Sequence, residues 1–157
     1  MSDVQPIPAG YHSVTPYLVL KNANEAIEFY QKAFDGQLVL KLDGPGGSVM
    51  HAEVKIGDSH VMLADENEQM GFLGPKSIGG TPVSLMIYHE NVDRLFAQAV
   101  KAGARELQPP TDQFYGDRSG RLEDPFGHMW TIATHIEDLT PEEIDQRFAE
   151  IMGGGQG

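Results

Sequence analysis

The sequence predicts an α+β fold in which a chain of 157 residues contains two similar βαβββ modules. Two observations lead to this prediction. A strand-like run that enters an amphipathic helix occurs between residues 15 and 36, and the same plan recurs between residues 84 and 103. After each helix come three strand-like runs separated by turns. Because neither half alone could cover both faces of a small sheet, we expect the two modules to share one core.

In the first module, a strand over 15–22 ends at Asn22, a residue type that favours helix N-termini. Gly36 stands where a glycine commonly ends a helix. Gly57-Asp58 has the composition of a two-residue hairpin turn. The apolar positions at helical spacing are Ala26, Ile27, Tyr30, Ala33 and Phe34, and the following strands are 37–42, 48–56 and 60–65.

The second module repeats this order, with a helix cap at Asn91, a helix end at Gly103 and a last turn at Asp124-Pro-Phe-Gly127. Its strands are predicted at 84–91, 105–108, 117–123 and 128–135. Beyond it, Thr140-Pro-Glu-Glu143 is a capping box that opens a further helix. The predicted organisation is a first module at 12–66, a Gly- and Pro-rich linker at 67–82, a second module at 83–137, and a C-terminal helix with a flexible tail at 138–157.

Composition excludes several classes of function. A formal net charge of −12 repels phosphate backbones and anionic lipid, so we expect neither nucleic acid nor a membrane as a partner. The chain has no cysteine, which excludes a disulfide scaffold, a thiolate zinc site and a cysteine nucleophile. No stretch reaches the ~18 apolar residues of a membrane span, and the N-terminus lacks the pattern of a signal peptide. We therefore expect an acidic, soluble, cytoplasmic protein.

Several motifs carry a resemblance to a known family. They are Val14-Thr-Pro-Tyr-Leu18, Met50-His-Ala-Glu53, Val61-Met-Leu-Ala-Asp-Glu66 and the run from Tyr115 to Trp130. With the paired βαβββ modules, they resemble the vicinal oxygen chelate superfamily of glyoxalase I, bleomycin-resistance proteins and extradiol dioxygenases, in its PhnB-like branch. The resemblance implies an eight-stranded mixed sheet curled into a cup with the ligand inside, and a homodimer.

The resemblance also implies where a metal would lie. In the family's metalloenzymes, four side chains hold a divalent metal, and the matching positions here are Thr15, Leu63, Ser84 and Thr131. None of these is a usual ligand, because divalent metals need imidazole or carboxylate donors. We therefore predict no cofactor and lean against an enzyme. The alternative is a lyase or dioxygenase that holds a divalent metal through His51, Glu53 and Asp65.

Strand alternation predicts which residues face the cup, because every second residue of a strand shares a face. A cup with Tyr, Met, Thr, Ser and one carboxylate suits an aromatic or cationic organic compound, although the same side chains could simply fill a small barrel. Tyr115 and Arg118 lie on the loop before a strand, where they could close over a ligand or be held by a local Asp–Arg pair. The predicted ligand-binding residues are Thr15, Tyr17, Leu63, Asp65, Ser84, Met86, Tyr88, Tyr115, Arg118 and Thr131.

His51 and Glu53 are the candidate catalytic residues, because a histidine beside a carboxylate on one strand face can act as a general base. A solvated or hydrogen-bonded pair is the alternative. Alternation in their strand places both in the cup, yet the tight turn after it pairs Glu53 with Met62, which is predicted to face the helix. An ion pair between Glu53 and Arg121 is a further hypothesis. His12, His89 and His135 receive no role. We predict a small-molecule-binding protein that binds or sequesters its ligand without the usual metal site.

Overall fold

The computed structural model describes residues 3–154. The first module contains β1 (Tyr17–Leu20), α1 (Ala23–Phe34), β2 (Gln37–Asp43), β3 (Val49–Ile56) and β4 (Ser59–Asp65). A connection with a short helix α2 (Pro75–Ile78) leads to the second module. That module contains β5 (Ser84–Tyr88), α3 (Val92–Ala102), β6 (Arg105–Asp112), β7 (Asp117–Glu123) and β8 (Met129–His135). A final helix, α4 (Pro141–Gly154), follows. The end of the predicted flexible tail, residues 155–157, lies outside the described residues.

The predicted fold class is confirmed, since each module forms one four-stranded mixed sheet with a helix on one face. The strand orders are β1-β4-β3-β2 and β5-β8-β7-β6. In each sheet the first and last strands of the module pair in parallel, and the remaining pairs are antiparallel. Within residues 3–154 no strand of one sheet pairs with a strand of the other, so the eight strands form two sheets that are not closed.

The two modules share one core on the helix-covered sides of their sheets. Tyr30 of α1 is fully buried and contacts Trp130 of β8, with ring centroids 5.5 Å apart. The Nε2 atom of Gln98 on α3 donates to the backbone oxygen of Lys32 at the end of α1. The opposite face of each sheet is called its open face below. Both open faces carry exposed aromatic or apolar side chains, such as Tyr17 and Tyr88.

The start of α1 shows why one predicted cup residue lies elsewhere. Asn22 caps the helix in a left-handed conformation and makes no side-chain hydrogen bond. The Oδ1 atom of Asp65 instead accepts from the backbone N–H of Ala23 at 2.8 Å, and its Oδ2 accepts from that of Val49 at 2.7 Å. The predicted placement of Asp65 in the cup is therefore wrong, because its carboxylate anchors α1 and β3 on the helix side.

The register of β4 corrects a second prediction. Tyr17 of β1 lies opposite Met62, and Leu18 lies opposite Leu63. Leu63 is 0% exposed and belongs to the shared core, so its predicted placement in the cup is wrong and Met62 takes that face. The reason is that β4 is apolar on both faces between Val61 and Ala64, and a strand without alternation does not specify its faces.

In the second sheet the register agrees with the predicted faces. Met86 lies opposite Thr131 and Leu85 lies opposite Trp130. Trp130 is buried in the core, whereas Met86 is exposed on the open face. Of the helices between residues 3 and 154, none has the length and apolar character to cross a membrane.

Candidate functional site

A chain of hydrogen-bonded side chains crosses the open face of the first sheet. The hydroxyl of Tyr17 lies 2.9 Å from His51 Nδ1, and His51 Nε2 lies 3.2 Å from Glu53 Oε1. The hydroxyl of Tyr11 donates to the other carboxylate oxygen, Glu53 Oε2. The four residues therefore form one connected network, with a carboxylate near its centre.

Strand register brings these side chains together. Tyr17 on β1 and Glu53 on β3 both lie opposite Met62 of β4, the strand between them. The two-residue turn at Gly57-Asp58, where Gly57 has a φ of 59°, fixes the pairing of β3 with β4. The tight turn does pair Glu53 with Met62, as predicted, and the predicted conflict disappears because Met62 itself lies on the open face.

Glu53 is only 8% exposed, and its surroundings favour the ionised form. Burial raises the pKa of Glu53. Hydrogen bonds from Tyr11 and His51, together with the nearby imidazoles of His51 and His60, lower this pKa by more than burial raises it. The pKa of Glu53 therefore lies below its ordinary value. The hydrogen bond to Glu53 raises the pKa of Tyr11. Burial, together with the charge of Glu53, raises the pKa of Tyr17. The site thus holds one carboxylate charge beside two protonated phenols.

Tyr11 comes from the segment before β1 and covers part of this face. Its ring stacks on His60 of β4 with centroids 3.9 Å apart and an interplanar angle of 15°. His60 Nδ1 lies 3.2 Å from the backbone oxygen of Gly10, which fixes the path of the segment. The sequence contains no signal for the hydrogen bond from Tyr11 to Glu53, because Tyr11 precedes the first predicted strand and the two residues are 42 positions apart.

A small apolar cleft adjoins the network. It has a volume of about 150 Å³ and lies between the rings of Tyr17 and Phe72, with Val19 and Ala64 at its base. Phe72 belongs to the connection between the modules, where its backbone pairs with that of Asn67. Asp65 borders the cleft at the end of β4, but backbone N–H groups occupy both of its carboxylate oxygens. The position of Phe72 could not be predicted, because the linker has no strand or helix pattern that fixes it.

The open face of the second sheet carries a separate network. The hydroxyl of Tyr88 donates to Asp117 Oδ2 at 2.9 Å, and His135 Nδ1 lies 2.8 Å from Asp117 Oδ1. His135 Nε2 lies 2.8 Å from Asp138 Oδ1. The hydrogen bonds to Asp117 and Asp138 raise the pKa of His135. His135, which received no role from the sequence, therefore joins β8 to the segment that leads into α4.

Several predicted residues lie outside both networks. The guanidinium of Arg118 bonds Asp93 at the start of α3 and Asp112 of β6, and these contacts raise its pKa. The predicted closure of Arg118 over a ligand is wrong, because the register of β7 turns this side chain toward α3, where Asp93 and Asp112 hold its guanidinium. The Tyr115 ring packs edge-on against Phe114.

The hypothesised ion pair between Glu53 and Arg121 is also absent from residues 3–154. Glu53 bonds Tyr11 and His51 instead. Arg121 lies on the second sheet, opposite Thr131. The physical reason is that both carboxylate oxygens of Glu53 already accept hydrogen bonds from side chains of its own module.

Thr15, Met86 and Tyr88 border a larger cavity of about 520 Å³ between the modules. Its other walls come from the segment before β1, the β3–β4 turn and the buried ring of Trp130. Thr15 donates its hydroxyl hydrogen bond to the backbone oxygen of His12. Ser84 is exposed at the start of β5.

Comparisons with known proteins place this fold in a family. A family model of the Glyoxalase/Bleomycin resistance protein/Dioxygenase superfamily matches residues 11–132. The chain belongs to this superfamily. A protein of Mycobacterium bovis is 38% identical over 135 residues, which cover 84% of this chain and 89% of the relative. A protein of Arabidopsis thaliana is 26% identical over 129 residues, which cover 78% of this chain and 77% of the relative.

Several solved structures share the fold. TioX from Micromonospora sp. ML1 has a TM-score of 0.63 and 23% identity, over 82% of this chain and 100% of its own. A PhnB protein from Bacillus cereus has a TM-score of 0.61 and 22% identity, over 78% and 99%. The fosfomycin resistance protein FosX from Listeria monocytogenes has a TM-score of 0.60 and 17% identity, over 85% and 97%. The resemblance to the superfamily and to its PhnB-like proteins is confirmed.

The residues at the metal positions implied by superfamily membership do not fit a divalent metal. The register matches Met62, not Leu63, to Thr131 of the second module, so the four places hold two threonines, a serine and a methionine. Hydroxyl and thioether groups are poor ligands for hard or borderline metals. The alternative set fails on geometry, because Asp65 lies on the helix side while His51 and Glu53 lie on the open face. Between residues 3 and 154, no three His, Asp or Glu side chains converge closely enough to hold a metal.

Proposed function

We propose that this superfamily member binds, and by binding sequesters, a small aromatic compound on the open face of its first sheet. The aromatic ring enters the cleft between Tyr17 and Phe72, and the polar group of the compound meets the network of Tyr17, His51 and Glu53. No metal takes part in this binding. The observation that carries the proposal is an apolar cleft that has Tyr17, a member of the hydrogen-bonded network, as one of its walls.

The size of the cleft supports a ligand with a single ring. Its volume of about 150 Å³ equals that of engineered protein cavities that stay dry and bind benzene. Its walls are the two aromatic rings, a valine and an alanine, which offer apolar contact and ring stacking. A fused or bulky ligand would have to displace Phe72, whose side chain is half exposed.

The charge of the site supports a cationic or hydrogen-bonding substituent. Glu53 is ionised and nearly buried, so a bound ammonium group would interact with its charge at reduced dielectric. The ring of Tyr17 adds a face on which a cation is stabilised. An anionic substituent would meet repulsion from the same carboxylate. Benzylamine, a ring with one ammonium group, is therefore a suitable probe.

A titration with benzylamine tests the proposal by NMR chemical-shift changes. We expect saturable binding near millimolar dissociation constants, as is usual for so small a ligand. Phe72→Ala should weaken binding at least several-fold because it removes one wall of the cleft. Phe148→Ala is a matched control, since Phe148 of α4 is also 50% exposed but lies far along the chain in another element. Equal binding by wild type and Phe72→Ala, or no saturable binding, would refute the proposal.

We further propose that two copies of the chain associate. The support is β2, an edge strand in which every residue is exposed and Leu38, Val39, Leu40 and Leu42 present apolar side chains to solvent. Large exposed apolar patches and free strand edges mark association surfaces. Sedimentation equilibrium should give twice the chain mass for the wild type and the chain mass for Leu40→Lys. A wild-type monomer at micromolar concentration would contradict this.

A further inference from the structure

The hydrogen bonds of Glu53 determine which nitrogen of His51 carries a proton. Both oxygens of Glu53 act as acceptors, one for the hydroxyl of Tyr11 and one for His51 Nε2. An ionised carboxylate has no hydrogen to donate. His51 must therefore carry a proton on Nε2, since an unprotonated Nε2 would place two lone pairs against each other.

The protonation of Nε2 determines the direction of the next hydrogen bond. A neutral imidazole holds one proton, so Nδ1 of His51 is an acceptor when Nε2 is the donor. Tyr17, at 2.9 Å, has one hydroxyl hydrogen and donates it to Nδ1. The oxygen lone pairs of Tyr17 are then left facing the open face. The Tyr17 hydroxyl can therefore accept a hydrogen bond from a ligand, but it has no hydrogen left to donate to one.

We infer that Tyr17 Oη accepts a hydrogen bond from the ligand, and that the site therefore selects aromatic amines and phenols over aromatic compounds that can only accept. This inference rests on the proposed function and names the class of ligand for that site. Glu53 acts through His51 as a positioning residue, because it fixes the tautomer that orients the Tyr17 hydroxyl. An aldehyde or ketone at the same place would set its lone pairs against those of Tyr17.

The exposure of Tyr17 agrees with this role. Its side chain is half exposed and forms one wall of the apolar cleft, so a ring in the cleft can bring a substituent to the hydroxyl. His51 and Glu53 lie deeper, with Glu53 almost fully buried. A ligand therefore reaches Tyr17 before it reaches the other two members of the network. The ionised Glu53 behind them adds a preference for a positively charged donor.

The first test measures the tautomer of His51 in the protein without ligand. Nitrogen-15 chemical shifts at pH 8, assigned with the His51→Gln variant, should show a proton on Nε2 and none on Nδ1. In Glu53→Gln the preference for this tautomer should weaken, because an amide can turn either its oxygen or its nitrogen toward the imidazole. A proton on Nδ1 of wild-type His51 would overturn the inference.

The second test compares three probes of similar size: phenol, fluorobenzene and benzaldehyde. Phenol should bind about three- to tenfold more tightly than fluorobenzene, the usual effect of one neutral hydrogen bond, and benzaldehyde should bind no better than fluorobenzene. The preference for phenol over fluorobenzene should vanish in Tyr17→Phe, which keeps an aromatic ring in the wall of the cleft and removes the hydroxyl. Tighter binding of benzaldehyde than phenol would overturn the inference. If no probe binds, the proposed function fails, and the nitrogen shifts still decide the direction of the Tyr17 hydrogen bond.

Discussion

The hydroxyl of Tyr30 on α1 donates a hydrogen bond of 2.6 Å to Asp124 Oδ2 in the last turn of the second module. Trp130 Nε1 donates to the same oxygen at 2.9 Å, and the backbone N–H groups of Phe126 and His128 donate to Oδ1. A single buried carboxylate thus receives four donors and links the first helix to the second sheet. The contact between the modules is therefore specific as well as apolar.

Tyr30→Phe should lower the free energy of unfolding by about 1–3 kcal/mol, because it leaves Asp124 with one donor fewer in a site that water does not reach. Urea denaturation measures this change. Tyr115→Phe, which alters a partly exposed phenol, serves as the control and should be near neutral. An effect of Tyr30→Phe as small as that of the control would show that the hydrogen bond adds little.

The register of β4 predicts different costs for two adjacent residues. Leu63→Ala should destabilise the protein by about 2–5 kcal/mol, since it opens a cavity in the shared core. Met62→Ala should cost much less because Met62 faces the open side and is partly exposed. Thermal unfolding of the two variants, side by side, checks the assignment. A larger loss of stability for Met62→Ala than for Leu63→Ala would show that Met62, and not Leu63, faces the core.

Asp65→Asn should destabilise the protein by about 1–2 kcal/mol, because an amide can accept only one of the two backbone N–H bonds that the carboxylate now receives. Asp58→Asn, in the exposed turn between β3 and β4, is the matched control and should be near neutral. Urea midpoints of both variants measure the difference. Equal midpoints would contradict the role of Asp65 as an anchor of α1.

The interactions of His135 predict a pH dependence. Its pKa is raised in the folded state, so its contribution to stability is complete below the ordinary histidine value of about 6.5 and is lost as pH rises through the folded pKa. His135→Gln should therefore be less stable than wild type at pH 5.5, and the difference should shrink at pH 9. His12→Gln, at an exposed histidine, should show no such trend. A difference for His135→Gln that does not change with pH would argue against the ion pairs.

The architecture of this protein could be predicted because the sequence contains two similar modules. Asn22 and Asn91 mark both helix starts, and apolar residues at helical spacing follow each of them. The two caps nevertheless differ. Asn91 accepts from the backbone N–H of Arg94, whereas the start of α1 is held by Asp65. A repeat thus predicts where the helices begin, and tertiary contacts decide which side chain accepts from the free backbone N–H groups at each helix start.

The candidate site could be predicted only in part. His51 and Glu53 were identified because they alternate on one strand, and Tyr17 because it alternates on another. Met62 could have been assigned to the open face from the two-residue turn, which pairs it with Glu53. Tyr11 and Phe72 lie in segments without periodic pattern, and their contacts with the site depend on how those segments fold over the sheet.

Contacts between a bound ring and its neighbouring side chains show whether the ligand occupies the cleft. Nuclear Overhauser effects should be measured between the ring protons of saturating benzylamine and assigned side chains of the wild-type protein. We predict effects to Tyr17, Phe72 and the methyl group of Ala64, which enclose the cleft. Effects to Leu85 and Ile87 in the larger cavity, with none to Tyr17 or Phe72, would show that the ring does not bind in the cleft.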